Sequence, residues 1–357
     1  MRPSCPHRGP VPQLLRGAKA VSDLALALLL PLLVVVQVSG LLAACTEKGG
    51  GPPPLRFALL VNRLGDVWTK SEIAGFQRAC REFGVEALVF DNRMDANTTL
   101  SNMDIVLEQG IDGIALSPPD QKISALIVDK AFSAEVPVVS MDLRLLDYNN
   151  RQLAPHVGVD NVGAGEAVGR WLAERIRDLR WLEDRSITVG VAALTYDEIW
   201  DMKLRTDACR KVLLEELPVL DERRLYGIDY RSMDAVGALL GMQELITSHP
   251  DVTNWVVFAG NDEGVIGAVR ALEQVGLDEN AVGCGIGYGR AMAELSKNAS
   301  AFKATVFIDG CAQGRLAASH LYEYLVHGRP IPAATHGRIF MVDRAAAGTI
   351  ALEGQGR

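Results

Sequence analysis

The chain has 357 residues, 48% of them hydrophobic and 22% charged, which is ample material for a buried core and more length than most single domains use. A formal net charge of -8, with no basic stripe, excludes a protein that binds nucleic acid by neutralising phosphates. Nothing in the composition marks the chain as disordered overall.

The N-terminus differs from the rest. Arg2, Arg8, Arg16 and Lys19 lie in a Pro-containing lead-in, Leu24 to Val38 is almost wholly apolar, and small residues follow. This pattern predicts a secretory signal, since the apolar run is short for a bilayer span. A single transmembrane anchor is the alternative, and Pro31 argues only weakly against it. Leu42-Ala43-Ala44-Cys45 resembles a bacterial lipobox, which implies removal of residues 1–44 and lipidation of Cys45 as the mature N-terminus. Residues 45–54 then read as the lipidated cysteine and a Gly- and Pro-rich tether.

From Leu55 short apolar runs alternate with amphipathic helical stretches. LRFALLV (55–61), VEALVF (85–90), GIALS (113–117) and VPVVSM (136–141) are predicted strands. Ser71 to Phe83 is a predicted helix with Ile73, Phe76, Cys80 and Phe83 on one face; Leu100, Met103 and Leu107, then Ile123, Leu126 and Ile127, mark two more. The series restarts with predicted strands at 186–194, 223–230, 254–260, 282–287 and 301–308, separated by helices beginning near Asp197, Asp234, Asp262 and Arg290. Strands apolar on both faces, each followed by a helix, predict parallel sheets covered on both sides. Two such series without a flexible linker predict two doubly wound α/β lobes, strands passing between them, and a ligand cleft at the facing carboxyl ends.

The polar residues at those ends are the candidate site: Asn62, Asp66 and Trp68 after the first strand, Asp142 after the fourth, and Asn261 and Asp262 after the strand at 254–260. Singly, each has a structural reading: a turn for Asp66, a helix cap for Asn261 or Asp262, a core position for Trp68. Together they suit a small polyol, because carboxylates and amides bond neighbouring hydroxyls while an indole covers a C–H face. Arg205, near the start of a second-lobe helix, adds a fixed fork of donors.

Catalytic patterns fare worse. GxSxG, HExxH and GxxxxGK[ST] do not occur, the histidines form no spaced metal-ligand set, and GCGIGYG (283–289) reads as close backbone approach at a strand end. No enzyme, cofactor or metal is expected. Cys80, Cys209, Cys284 and Cys311 read as small buried hydrophobes, with a disulfide among them left open.

From about Leu55 to Val342 the chain resembles the periplasmic sugar-binding proteins of ABC importers, nearest their L-arabinose-binding branch. The resemblance rests on the acid and Trp68 after the first strand, GIALSPPD, VPVVSMD, EIWDMKLRTDA, SHPDVTNWVVFAGNDEGVIGAVRALE and GCGIGYGRAMAELSK. It implies a type I periplasmic-binding fold with three lobe crossings, the first lobe at 55–159 plus 310–337 and the second at 160–309 plus 338–357. It also implies sugar contacts at Asp66, Trp68, Asp142, Arg205 and Asn261, with Asn62 in a further contact position. The function implied is an extracytoplasmic, membrane-anchored and monomeric receptor. It would deliver a monosaccharide by hinge closure to an ABC permease and its ATPase; a sensor serving a membrane kinase or chemoreceptor is the alternative. Three positions depart from the branch: Asn62 where it has lysine, Leu143 where it has a second aspartate, and Gly287 where it has asparagine. L-arabinose itself is therefore not carried over. Asp160 and Asn161 resemble the ribose- and galactose-binding relatives and read as a crossing and helix-capping element.

Overall fold

The computed structural model describes residues 53–347 except Asp66, Arg231, Tyr288 and Asn298. The expected leader, Cys45 with the expected tether as far as Pro52, and the expected sugar contact Asp66 lie outside the described residues.

The strands form two six-stranded sheets with the same winding. In the first, β1 (Arg56–Val61) pairs in parallel with β2 (Glu86–Asp91) on one side and β3 (Gly113–Leu116) on the other. Beyond β3 come β4 (Val138–Met141) and β5 (His156–Gly158). In the second, β6 (Val189–Thr195) lies between β7 (Leu225–Asp229) and β8 (Asn254–Ala259), followed by β9 (Ala281–Gly287) and β10 (Phe302–Ile308). Two late strands then divide: β11 (Ala334–His336) joins β5 in the first sheet, and β12 (Ile339–Asp343) runs antiparallel to β10 in the second. The chain thus crosses between the sheets after β5, after β10 and between β11 and β12.

The helices are α1 (Val67–Phe83), α2 (Ala96–Glu108), α3 (Ser124–Ser133) and α4 (Asn161–Asp178), then α5 (Trp200–Glu216), α6 (Ala235–Ser248), α7 (Asp262–Gln274), α8 (Gly289–Leu295) and α9 (Gly310–His327). They cover both faces of each sheet because the strands are apolar on both. On β1, Phe57, Leu59 and Val61 pack with Phe76, Ala317 and Leu321, while Ala58 and Leu60 pack with Met103 and Ile127 on the other side. On β8, Val256 and Phe258 face Leu172 and Leu213, and Trp255, Val257 and Ala259 face Ala268 and Leu272. Each of the Val, Leu, Ile, Phe and Met side chains among these contributes about 1.5–3 kcal/mol by leaving water, and each alanine less.

Four details differ from expectation. Helix α1 begins at Val67 rather than Ser71, because its first turn is partly exposed and the apolar stripe shows only from Ile73 onward; Trp68 therefore sits on a helix, not in a loop. Strands β5, β11 and β12 were not anticipated: β5 and β11 are three-residue strands, too short to display a period, and β12 is an edge with little burial. Leu126, on the apolar stripe expected of α3, is exposed. Cys80, Cys209 and Cys284 are buried free thiols, as their setting suggested, whereas Cys311 is a free thiol only partly covered.

Candidate functional site

In each sheet the order of strands reverses beside the first strand, between β1 and β3 and between β6 and β8. Loops leaving the carboxyl ends at such a point diverge and leave a crevice, the usual ligand position in doubly wound sheets. Asn62 follows β1, Ser117 follows β3, Asp142 follows β4, and Gly260 with Asn261 follows β8.

Arg205 is the most constrained of the expected residues. It is 3% exposed, on α5, which α4 approaches closely at Gly165: a Cβ there would lie 2.1 Å from the Arg205 carbonyl oxygen. Its Nε donates to Asn161 Oδ1 at 2.7 Å and its Nη1 to the Gly260 carbonyl at 2.8 Å. Burial pulls its pKa below the ordinary arginine value, and the negative charges of Asp142, then Asp201, oppose that pull. Arginine stays protonated throughout.

Asp142 comes from the first lobe. Its backbone adopts φ of 64°, a left-handed conformation that aspartate tolerates better than most residues. Its own N–H donates to the Val157 carbonyl at 3.1 Å, and the next N–H, of Leu143, reaches back to the Met141 carbonyl at 2.7 Å. The kink ends β4 and brings a first-lobe carboxylate to act on the second-lobe guanidinium of Arg205.

Trp68 is half-buried. Its indole lies against Gly310 at the second crossing and packs on the apolar cluster of the second lobe, so it spans the lobes. Asn62 donates Nδ2 to Ser117 Oγ at 2.8 Å, and its buried Oδ1 has no hydrogen-bond partner among the described residues. Asn261 serves as the N-cap of α7: Oδ1 accepts from Gly264 N–H at 2.9 Å and from the Tyr230 hydroxyl at 2.8 Å, and Nδ2 donates to the Met233 carbonyl at 3.0 Å. The capping alternative raised for it is thus what the local geometry uses. Asp262 is buried, accepts from Thr305 Oγ1 at 2.7 Å, and occupies the space left by Gly285 and Gly287. Close approach at the glycine-rich strand end is therefore the approach of a carboxylate.

Asp160 caps α4 by accepting from Gly163 N–H at 2.9 Å, as read from the sequence. Asn161 does something else: it joins Arg205 to Asp201, donating Nδ2 to Asp201 Oδ1 at 2.8 Å. Asp201 is fully buried and pairs with Arg144 of the first lobe. Neither Arg144 nor Asp201 stood out in the sequence, although Asp201 and Arg205 are four residues apart on one helical face, a spacing that flags a shared electrostatic setting.

Among the described residues no group of His, Cys, Asp and Glu is placed to hold a metal, and no helix is long and apolar enough to cross a membrane. A groove lined by Trp181, Arg185, Val219 and Arg224 lies at the amino ends of β6 and β7, opposite the convergent loops.

Residues 57–330 match the family described as periplasmic binding protein domain. The chain belongs to that family. As a periplasmic binding protein of type I fold it is a solute-binding protein and not an enzyme. It is 27% identical over 300 residues to the ABC transporter L-arabinose-binding periplasmic protein of Azospirillum brasilense, covering 82% of this chain and 87% of that one. It is 25% identical over 288 residues to the L-arabinose-binding periplasmic protein of Escherichia coli strain K12, covering 80% and 86%. Among solved structures, a solute-binding protein from Actinobacillus succinogenes 130z with bound D-allose superposes with a TM-score of 0.70 at 20% identity, covering 83% of this periplasmic binding protein and 99% of that chain. The fructose-binding periplasmic domain of a hybrid two-component system superposes with a TM-score of 0.71 at 18% identity, covering 84% and 94%.

Proposed function

We propose that this periplasmic binding protein is a sugar receptor that closes its lobes over one monosaccharide and presents it to an ABC permease and its ATPase. The observation that carries the reading is the buried guanidinium of Arg205, from the second lobe, lying within the electrostatic reach of the Asp142 carboxylate, from the first. A carboxylate and a guanidinium bond neighbouring hydroxyls as acceptor and donors, and Trp68, between the lobes, supplies an aromatic face. Asp66, Asn62 and Asn261 complete the proposed set. The lobes, 55–159 plus 310–337 and 160–309 plus 338–357, act as two bodies hinged at the three crossings, and a monomer suffices. The relatives that bind L-arabinose favour a pentose or related sugar. Asn62, Leu143 and Gly287, which replace polar groups of that branch, favour one other than L-arabinose. A lipid at Cys45 would hold the receptor at the membrane surface and raise its concentration beside the permease.

A thermal-shift screen of the purified protein against pentoses, hexoses and polyols tests this, because a ligand that binds only the native state raises apparent stability. One strong shift, lost in Asp142→Ala and in Arg205→Ala, is expected. The absence of any shift in folded protein would overturn the sugar reading. A sensory role is the second reading, favoured by the likeness to a two-component-system domain; kinase genes rather than transporter genes beside this one would select it.

A further inference from the structure

Asp201, in the first turn of α5, has its carboxylate fully buried, and the groups that donate to it come mostly from the other lobe. Arg144, two residues beyond Asp142, donates to Oδ1 through Nε at 2.8 Å and Nη2 at 2.5 Å, and to Oδ2 through its backbone N–H at 3.2 Å. Gln121, which follows β3, donates Nε2 to Oδ2 at 3.4 Å, and its Oε1 accepts the backbone N–H of Trp200 at 3.2 Å. Asn161, at the first crossing, supplies the remaining donor among the described residues.

The orientation of the Asn161 amide is fixed by chemistry. One neighbour is a carboxylate, which only accepts, and the other a guanidinium, which only donates. The amide must therefore turn Nδ2 to Asp201 and Oδ1 to Arg205, and the reversed placement would set like against like on both sides. A change at Asp201 is consequently felt at Arg205 through one rigid group.

We propose that Arg144 and Asp201 form an interlobe clamp that positions Arg205 through Asn161, so that closing the lobes also sets the orientation of the ligand-binding guanidinium. The clamp rests on the reading above that Arg205 meets the ligand. When the lobes part, Asp201 loses Arg144 and Gln121 together, its carboxylate returns to water, and Asn161 is no longer held from behind. Arg205 then keeps the Gly260 carbonyl and a loosened amide. When they close, the Asn161 amide is held from behind again, Nε of Arg205 is fixed alongside Nη1, and its other N–H groups take one direction in the cleft. Arg144 and Asn161 act as positioning residues, since neither needs to touch the sugar. Truncating one partner of a buried charge pair acts chiefly on the rate of dissociation.

The test uses the full chain, in Arg144→Met, Arg144→Lys and Asp201→Asn forms, with two readouts. The first needs no ligand. The Trp200 N–H belongs to the first turn of α5, where no intrahelical carbonyl can receive it, and its partner is Gln121 of the opposite lobe. Hydrogen exchange of the peptide containing Trp200 therefore reports lobe contact. Arg144→Met and Asp201→Asn are expected to speed it roughly tenfold, with Arg144→Lys intermediate. The second is binding of the sugar identified by thermal shift. Both neutralising variants are expected to weaken affinity roughly 10- to 100-fold, mostly through faster dissociation, and Arg144→Met combined with Arg205→Lys to lose less than the two losses added. Exchange and dissociation unchanged from the parent protein would overturn the clamp. So would strict additivity of Arg144→Met with Arg205→Lys. If no sugar binds the parent protein, the sugar reading falls, and the exchange result alone decides whether the lobes are clamped. Asp201→Asn retains the shape of the buried group, so it remains informative where Arg144→Met fails to fold.

Discussion

The carboxylate of Asp262 fills the place a side chain at Gly287 would take: a Cβ on Gly287 would lie 2.2 Å from Asp262 Oδ2. Asp262 is fixed there by Thr305, 2.7 Å away, and by its position at the start of α7. The loss of asparagine at Gly287, relative to the arabinose-binding branch, is thus a packing requirement of this chain. Restoring it as Gly287→Asn is expected to lower stability by about 1–3 kcal/mol through overpacking. Urea denaturation measures the loss. Adding Asp262→Ala should recover part of it, and no recovery would show that the carboxylate is not the obstacle.

Arg205→Lys keeps the charge and removes the fork. A lysine has one nitrogen to offer where Asn161 Oδ1 and the Gly260 carbonyl now receive two separate donors. Leaving one buried acceptor unpaired is expected to cost about 1–3 kcal/mol of stability. Sugar affinity should fall at least tenfold, because the remaining donors are no longer aimed. Calorimetric titration and thermal denaturation of the same preparation separate the two effects, and an unchanged affinity would remove Arg205 from the site.

The fold was legible where burial is continuous. Runs such as NWVVFA, buried over its whole length, announce central strands, and Asp234 before α6 announces a helix start by capping it through the Val236 and Gly237 N–H groups. What the sequence hid was short or relational. His156–Gly158 is a strand only because β4 and β11 lie beside it. Asn261 was legible as a polar residue at a strand end, but both of its readings, cap and ligand contact, fit the same pattern, and only the Gly264 and Tyr230 donors show the cap. Arg144 and Asp201 are 57 positions apart and are ordinary charges until the lobes meet.

The thiols give a third expectation. Burial pushes the Cys80 thiol up to about 12 and raises Cys209 and Cys284 well above the usual range, so none of them forms a reactive thiolate near neutral pH. Cys311 is partly exposed and paired with no other cysteine. Among these four, a thiol reagent should label native protein at Cys311 alone and unfolded protein at all four. A melting temperature that depends on reductant would contradict free thiols.

Cys45 carries a fourth. If it is the lipidated N-terminus, cells fed a labelled fatty acid should incorporate label into the protein, and Cys45→Ser should abolish both the label and the cleavage after Ala44. Unlabelled protein that is still cut near this point would indicate an ordinary secretory signal instead.

His156 sets a pH limit on stability. The ring is buried on β5, with Nδ1 3.0 Å from Ser140 Oγ, and burial lowers its pKa from an ordinary 6.5 to about 4. Asp201 nearby opposes that shift, while Arg144 and His336 add to it. An unfolded histidine takes up its proton near 6.5, and the native one not until about 4. Between these values the unfolded state binds more protons, so stability is complete above about 6.5, falls as the pH drops toward 4, and then levels for this group. The loss is of order 3 kcal/mol. His320, lowered by its own burial, works in the same direction. Urea titrations across the interval should therefore show a slope that His156→Gln reduces without abolishing. An unchanged slope in that variant would assign the acid sensitivity elsewhere, and a slope of opposite sign would mean that His156 is protonated in the native protein.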